Sequence, residues 1–298
     1  MKTIYISGFS MRYIFRYGVH VAGVSFAAAT ILTACGGDGV KTAGDTVSIS
    51  GSTTVLPAIS RAADDYTMQT GAKIIVNAGG SGGGFKQLAE GQTDIGMMSR
   101  DITAEERARF ARHSFTVTAI GRDAVAPAVS SEIYDAGVTQ LSFEQVTDIY
   151  MGRVDNWSAF GGPDRAIFAV DKEAGRGTRQ VFARIVFGDK NMQAPGADLV
   201  VGSNNEEQTA LAQSDSAIGM ISFAWANADV RPLSITTANG AVAPTLDNVN
   251  SGAFPITRDL LIVTREDVSG QAKAFIDFVL SPEGQTHVVD AGYLPVNK

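Results

Sequence analysis

Cysteine is nearly absent: Cys35 is the only one in 298 residues, which excludes a disulfide framework as a source of stability. Histidine is scarce as well. His20 lies in the leading apolar stretch, His113 and His287 fall on polar-looking helices, and no pair has metal-ligand spacing. Metal-assisted chemistry has no support, and no cofactor is expected. Charged residues make up only 18%, with 24 Lys and Arg against 31 Asp and Glu. Lys2, Arg12 and Arg16 precede Cys35, where there is no carboxylate, so the remainder stands at 21 cations against 31 carboxylates, a balance of −10. Nucleic acid is not expected as a partner, because binding a phosphate backbone relies on a basic face. A small anion is not excluded, since local N–H groups and one or two cations can hold it. The apolar run "VHVAGVSFAAATIL" is too short and too weakly flanked for a membrane span. There is no short-period repeat. Hydrophobic residues at 45% mark a globular chain, long enough for one large domain or two lobes.

What is present begins with an export signal. Arg12 and Arg16 precede the apolar run, and "LTAC" ends it at Cys35. Translation from Met1 or from Met11 suits this pattern equally. "LTAC" resembles the lipobox of bacterial lipoproteins. That resemblance implies a signal peptide over residues 1–35 and an acylated Cys35 as the mature N-terminus. The polar "GGDGVKTAGDT" then reads as a flexible tether over 36–45. The protein is expected to be exported and lipid-anchored, in the periplasm or at the cell surface.

Beyond the tether the chain alternates. "TVSISG" is a strand, "AISRAADDYTMQTG" a helix stopped by Gly71, "AKIIVNAGG" a strand, and "TDIGMMS" a short buried strand after another helix. This order predicts parallel pairing with helices on the sheet faces. "FTVTAIGRDAVAPAVS" is a longer strand interrupted by Gly121 and Pro127, and "DLLIVTRE" another long strand. "SFEQVTDIYMG" is helical, and "GQAKAFIDFVLSPEGQTHVVDAG" supplies terminal helices. One device occurs three times, at 51–54, 79–84 and 174–178: a strand, a loop rich in Gly, Ser or Thr, then a helix. Ligands of open parallel sheets bind beyond the strand ends, where helix N-termini point. Three such loops are enough to build a pocket of N–H donors for an anion.

Each loop has a plainer reading too. "GSTT" also suits an ordinary N-cap. "GGSGGG" also suits a glycine-rich turn, and it is not a P-loop, because Phe85, Lys86 and Gln87 follow Gly84 where Gly-Lys-Ser/Thr is required. "DKEAGRGTR" gathers Lys172, Arg176 and Arg179 around Gly175, Gly177 and Thr178, which suits an oxyanion clamp or a solvated turn. After "TDIGMM" come Ser99 and Arg100, a second place for a guanidinium to turn inward. No catalytic residue is expected. "GGSGG" matches Gly-x-Ser-x-Gly only through its surplus of glycine, outside the setting a nucleophile needs, and no base accompanies it.

Taken in order, "SGSTTVLP", "GGSGGGFKQLAEGQTDIGMMSR", "GRGTRQVF", "SAIGMISFAWA", "SGAFPITRDLLIVT" and "FIDFVLSPEGQTHVVDAGYLPV" resemble the PstS-like phosphate-binding proteins of bacterial ABC-type phosphate uptake systems. The likeness runs from Thr46 to Lys298. It implies the α/β, two-lobed fold of periplasmic binding proteins, each lobe a mainly parallel sheet flanked by helices, with the ligand cleft between them. Lobe 1 would comprise 46–122 and 256–298, and lobe 2 would comprise 123–255, with crossing strands near 120–129 and 256–263. It implies phosphate as ligand, held by Ser52, Thr53 and Thr54 from one loop and by Ser81, Gly82 and Gly83 from a second. Ser99 and Arg100 would form a third group, and Lys172, Gly175, Arg176, Gly177 and Thr178 a fourth. It implies a monomer that hands phosphate to the permease subunits of an ABC transporter. The chain departs from the family at one loop, where Arg-x-x-Gly-Ser-Gly-Thr is usual. Here Lys172 replaces the arginine and Arg176 the serine, so Arg176 either substitutes for the missing fork or faces solvent. Binders of sulfate, molybdate or tungstate are the alternatives within the class. A surface phosphate sensor or adhesin is another, and a hydrolase is disfavoured.

Overall fold

The structure, a computed structural model, describes residues 46–296. The expected signal peptide, the lipid-bearing Cys35 and the tether lie outside the described residues. Strand β1 (Val47–Gly51) is followed by helix α1 (Leu56–Thr70), which carries Pro57 in its first turn. Gly71 ends α1 in the left-handed conformation, at φ 72°. Strand β2 (Ile74–Ala78), helix α2 (Gly80–Ala89) and strand β3 (Ile95–Met98) come next. β1 pairs in parallel with both β2 and β3, as the alternation of elements predicts.

The glycine window departs from expectation. Residues 80–84 are the first turn of α2 itself and not a loop ahead of it. The reason is a close approach of two backbones. A Cβ at Gly84 would lie 2.4 Å from Gly51 Cα and 2.5 Å from the Ser50 carbonyl oxygen. The helix therefore rests directly on β1.

Helix α3 (Ala104–Arg109), opened by a capping box of Thr103 and Glu106, leads into β4 (Phe115–Ser130). Then come α4 (Ser131–Asp135), β5 (Gln140–Leu141), α5 (Phe143–Tyr150) and β6 (Phe168–Lys172). Helix α6 (Gly177–Val186), β7 (Leu199–Val201), α7 (Asn204–Ala212) and β8 (Ala217–Ser222) complete the alternation. β9 (Val230–Pro232), β10 (Ser234–Thr237), β11 (Gly240–Val242) and α8 (Leu246–Asn250) lead back to β12 (Thr257–Arg265). Helices α9 (Gly270–Leu280) and α10 (Pro282–Asp290) and strand β13 (Leu294–Pro295) follow.

The main sheet runs β2-β1-β3-β12-β4-β8-β6-β7. Strand β6 is parallel to both β7 and β8. β4 is the seam of this sheet: residues 115–124 pair antiparallel with β12, and residues 125–129 pair antiparallel with β8. Gly121 and Pro127 do not interrupt it. The pairing instead passes over Ile120, where the register shifts opposite Leu260 and Leu261. A hydrophobic core lies on each side of the seam. One holds Ile49, Phe275 and Tyr293, the other Tyr150, Trp157 and Phe182. The two halves pack closely enough for all the described residues to belong to one compact unit.

Candidate anion site

Four helices aim their N-termini at one small cavity of about 10 Å³. Ser52, Thr53 and Thr54 lead from β1 into α1. Gly80 and Ser81 open α2, Gly177 and Thr178 open α6, and Ser203 and Asn204 open α7; all of them line the cavity. Each terminus presents backbone N–H groups without a partner in its own helix, together with the positive end of its dipole. Local sequence explains the first approach. Gly51 has φ 143° and faces β3 so closely that a Cβ would sit 2.1 Å from the Met97 oxygen. Only glycine lets the chain turn from β1 toward the cavity at that point. Ser99, just after β3, completes the wall with Lys172 and Arg176.

The hydroxyls are wired to each other across the halves. Ser52 Oγ donates to Ser99 Oγ at 2.9 Å, and Ser99 N donates to Ser81 Oγ at 3.1 Å. The guanidinium of Arg258, on β12, donates through Nη1 to Thr178 Oγ1 at 2.9 Å and to Ser99 Oγ at 3.2 Å. Its Nη2 donates to Thr54 Oγ1 at 3.1 Å. Asn204 Nδ2 also donates to Thr54 Oγ1, at 2.8 Å. Gly177 is a close contact between halves: a Cβ there would lie 2.4 Å from both Ser81 Oγ and Ser99 Oγ.

Every cation of the site has its own carboxylate. Lys172 is buried and ion-paired with the equally buried Glu207, and its Nζ donates to the Ser203 carbonyl at 3.3 Å. Burial pushes the Lys172 ammonium down and the Glu207 carboxyl up, and the attraction within the pair opposes both shifts. Arg258 donates from Nε and Nη2 to Asp123 Oδ2, at 3.0 and 2.7 Å. Burial raises the Asp123 carboxyl, and the guanidinium beside it works the other way. Asp123 Oδ1 and the Ser222 hydroxyl are both buried with no partner at bonding distance, although the hydroxyl is near enough to help hold the carboxyl down. Arg176 pairs with Glu173 through Nε and Nη2, while its side chain packs over Gly80.

Ser52, Thr53, Thr54, Ser81, Ser99, Lys172, Arg176, Gly177 and Thr178 are thus brought together. Four other expected residues are not in the wall. Arg100 forks onto Glu106, with Nη1–Oε2 at 2.8 Å and Nη2–Oε1 at 2.7 Å. It lines a separate open groove of about 360 Å³, shared with Arg122, Arg184 and Asp259. Gly82 N donates to the Gly175 carbonyl at 3.2 Å, so these two glycines join the halves beside the cavity, and Gly83 is not in the wall either. Gly80, Ser203, Asn204 and the two buried ion-pair partners are not among the residues expected from sequence, and neither is Arg258. "GSNNEE" carries a readable sign of a helix start, since Ser203 caps α7 by accepting from Glu206 N at 3.1 Å. Nothing in "ITRDLLIVT" marks its arginine as inward-facing. His113 is not helical but sits in the turn after α3; His287, on α10, lies 3.1 Å from Asp65.

Comparison with known proteins places this arrangement. A model of the PBP superfamily domain matches residues 36–283. A phosphate-binding protein PstS from Bacillus subtilis (strain 168) is 31% identical over 261 residues, covering 87% of this chain and 83% of that protein. A phosphate-binding protein PstS from Borreliella burgdorferi is 31% identical over 260 residues, covering 84% and 90%. A crystal structure with bound phosphate from Clostridium perfringens, assigned as a phosphate ABC transporter substrate-binding protein, superposes with a TM-score of 0.77 at 31% identity. It spans 85% of this chain and 100% of its own. An ABC-type phosphate transport receptor from Vibrio cholerae gives a TM-score of 0.67 at 31% identity, spanning 83% of this chain and 99% of its own.

Proposed function

The chain belongs to the PBP superfamily, and on that premise we propose that it is an extracytoplasmic binding protein that captures inorganic phosphate and delivers it to an ABC-type permease. The observation that carries this reading is the convergence of four helix N-termini and a ring of hydroxyls from both halves on one cavity. Such a shell offers hydrogen-bond donors to every face of a small tetrahedral anion. No bond need be made or broken in the ligand.

The closed cavity, at about 10 Å³, has room for little more than one water-sized sphere. An anion therefore enters when the halves part. Residues 46–122 with 256–298 act as one lobe and 123–255 as the other, turning about β4 and β12. Phosphate touches both lobes only when they are closed, so it shifts the population toward that state. The whole site lies in one chain, which suits a monomer. Cys35, with its lipid, and the tether at 36–45 hold the protein outside the membrane, beside the permease.

The test is thermal stability of the soluble chain, beginning after Cys35. Phosphate at a hundredfold excess over its dissociation constant is expected to add about 2.7 kcal/mol. Sulfate at equal ionic strength is expected to add far less. Equal effects from the two anions would defeat the assignment to phosphate and leave only an oxyanion site.

Arg176 contributes modestly in this reading. Its guanidinium is already paired with Glu173, whose side chain is 56% exposed. Pairs of this kind are worth about 0–1 kcal/mol. Arg176→Ala is expected to weaken phosphate binding by less than about tenfold in titration calorimetry. A hundredfold loss would put that guanidinium directly on the anion.

A further inference from the structure

We infer that Asn204 reads the proton of the bound anion: its side-chain oxygen Oδ1 accepts the P–OH hydrogen, and so selects hydrogen phosphate over an oxyanion that has no proton to give. The inference rests on the phosphate reading above and names the device by which that site tells its ligand from sulfate.

Most of the lone pairs on the hydroxyls deepest in the wall are taken. A hydroxyl oxygen has one hydrogen and two lone pairs. Thr54 Oγ1 receives two N–H groups, from Asn204 Nδ2 at 2.8 Å and from Arg258 Nη2 at 3.1 Å. Ser99 Oγ likewise receives the Ser52 hydroxyl at 2.9 Å and Arg258 Nη1 at 3.2 Å. Thr178 Oγ1 receives Arg258 Nη1 at 2.9 Å, and Ser81 Oγ receives Ser99 N at 3.1 Å. Thr54 Oγ1 lies 3.3 Å from Thr178 Oγ1 and Ser99 Oγ 3.4 Å from Ser81 Oγ, so Thr54 and Ser99, with both lone pairs taken, donate to Thr178 and Ser81, whose own hydrogens are left for the cavity. Lys172, Arg176 and the helix amides only donate. The wall is therefore mostly donors, with spare lone pairs only on rotatable hydroxyls such as Ser52 and Thr53, and an anion with a proton of its own is matched by a fixed acceptor in it.

Asn204 supplies that acceptor. It lines the cavity and is 1% exposed. Its Nδ2 is held by Thr54, which leaves Oδ1 buried and without a partner. Of the buried carboxylate oxygens near the site, Glu207 Oε2 is ion-paired with Lys172, and the partnerless Asp123 Oδ1 belongs to a residue outside the cavity wall. Hydrogen phosphate satisfies Oδ1 with its hydroxyl. Sulfate would set an oxygen lone pair against it, with both atoms cut off from water.

The experiment is titration calorimetry of phosphate and sulfate on the soluble wild type, Asn204→Ala and Asn204→Asp, with melting curves to confirm that each folds. Loss of the donation to Thr54 affects both anions alike, so the readout is the ratio of their affinities. In Asn204→Ala the phosphate-to-sulfate ratio is expected to fall by about ten- to a hundredfold. Asn204→Asp keeps an acceptor, so its ratio stays near that of the wild type, while its added charge weakens both anions. A wild-type ratio in Asn204→Ala would overturn the inference and leave phosphate as the ligand. So would a ratio in Asn204→Asp that falls as far as it does in Asn204→Ala. A wild type that binds the two anions equally would overturn the phosphate reading itself.

Discussion

Arg258→Ala is expected to destabilise the protein by about 3–5 kcal/mol and to abolish measurable phosphate binding. Both effects come from one guanidinium. Its side chain is 2% exposed and that of its partner Asp123 is 0% exposed, so the substitution strands a carboxylate in the interior. Asp123 Oδ1 already lacks a partner, and without Arg258 its Oδ2 loses both donors. Burial raises this carboxyl above its ordinary value even with the cation present. A carboxyl raised in the folded state binds its proton more tightly there than in the unfolded chain. The deficit should therefore be largest at high pH and shrink as pH falls toward the ordinary carboxylate range. Binding fails for a separate reason: Thr54, Ser99 and Thr178 lose the donor that orients their hydroxyls. Urea denaturation at two pH values checks the first effect and calorimetry the second. The double variant Asp123→Leu, Arg258→Leu should regain much of the stability and none of the binding, because an apolar pair of similar volume tolerates burial. A single-variant loss below about 1 kcal/mol would mean that water reaches Asp123.

Gly177→Ala is expected to weaken phosphate binding by about ten- to a hundredfold while leaving the unliganded fold intact. The added methyl would sit 2.4 Å from Ser81 Oγ and from Ser99 Oγ, both in the opposite half. Gly177 starts α6, where alanine suits the backbone, so its own half does not resist the change. The strain appears only on closure, and overpacking of this sort costs about 1–3 kcal/mol. Small-angle X-ray scattering with saturating phosphate should then report a larger radius than for the wild type. Unchanged affinity would mean that the halves do not meet at Gly177 when ligand is bound.

The alternation of strands and helices was legible because each helix and strand buries one face, and burial leaves a period in the residues. Relations between distant backbones leave none. The window at 79–84 reads as a loop, since glycine is rare inside helices for entropic reasons. It is helical because Gly84 must touch Gly51, more than thirty residues earlier, and no local pattern records that contact. Arg100 shows the same limit from the other side. "SRDITAEE" holds both the guanidinium and, in its capping box, the Glu106 that engages it. The family resemblance instead puts Arg100 among the ligand contacts. Asn204 was within reach of a reading alert to helix starts. Arg258 was not, because an arginine in an apolar strand becomes intelligible only beside Asp123, 135 positions away.

The pairing of each cation with its own carboxylate bears on how the site responds to salt. Lys172, Arg176 and Arg258 are balanced by Glu207, Glu173 and Asp123, so the receptacle is close to electrically neutral before the anion arrives. What draws the anion in is a set of oriented amides and hydroxyls, whose reach is a few ångströms. Dissolved salt screens charges over roughly 8 Å at physiological strength, and so it has little here to screen. A site of this design is expected to hold its anion about equally well at low and at high salt, which titration calorimetry across ionic strengths would check. The protein's acidic exterior keeps it dispersed and takes no part in the grip.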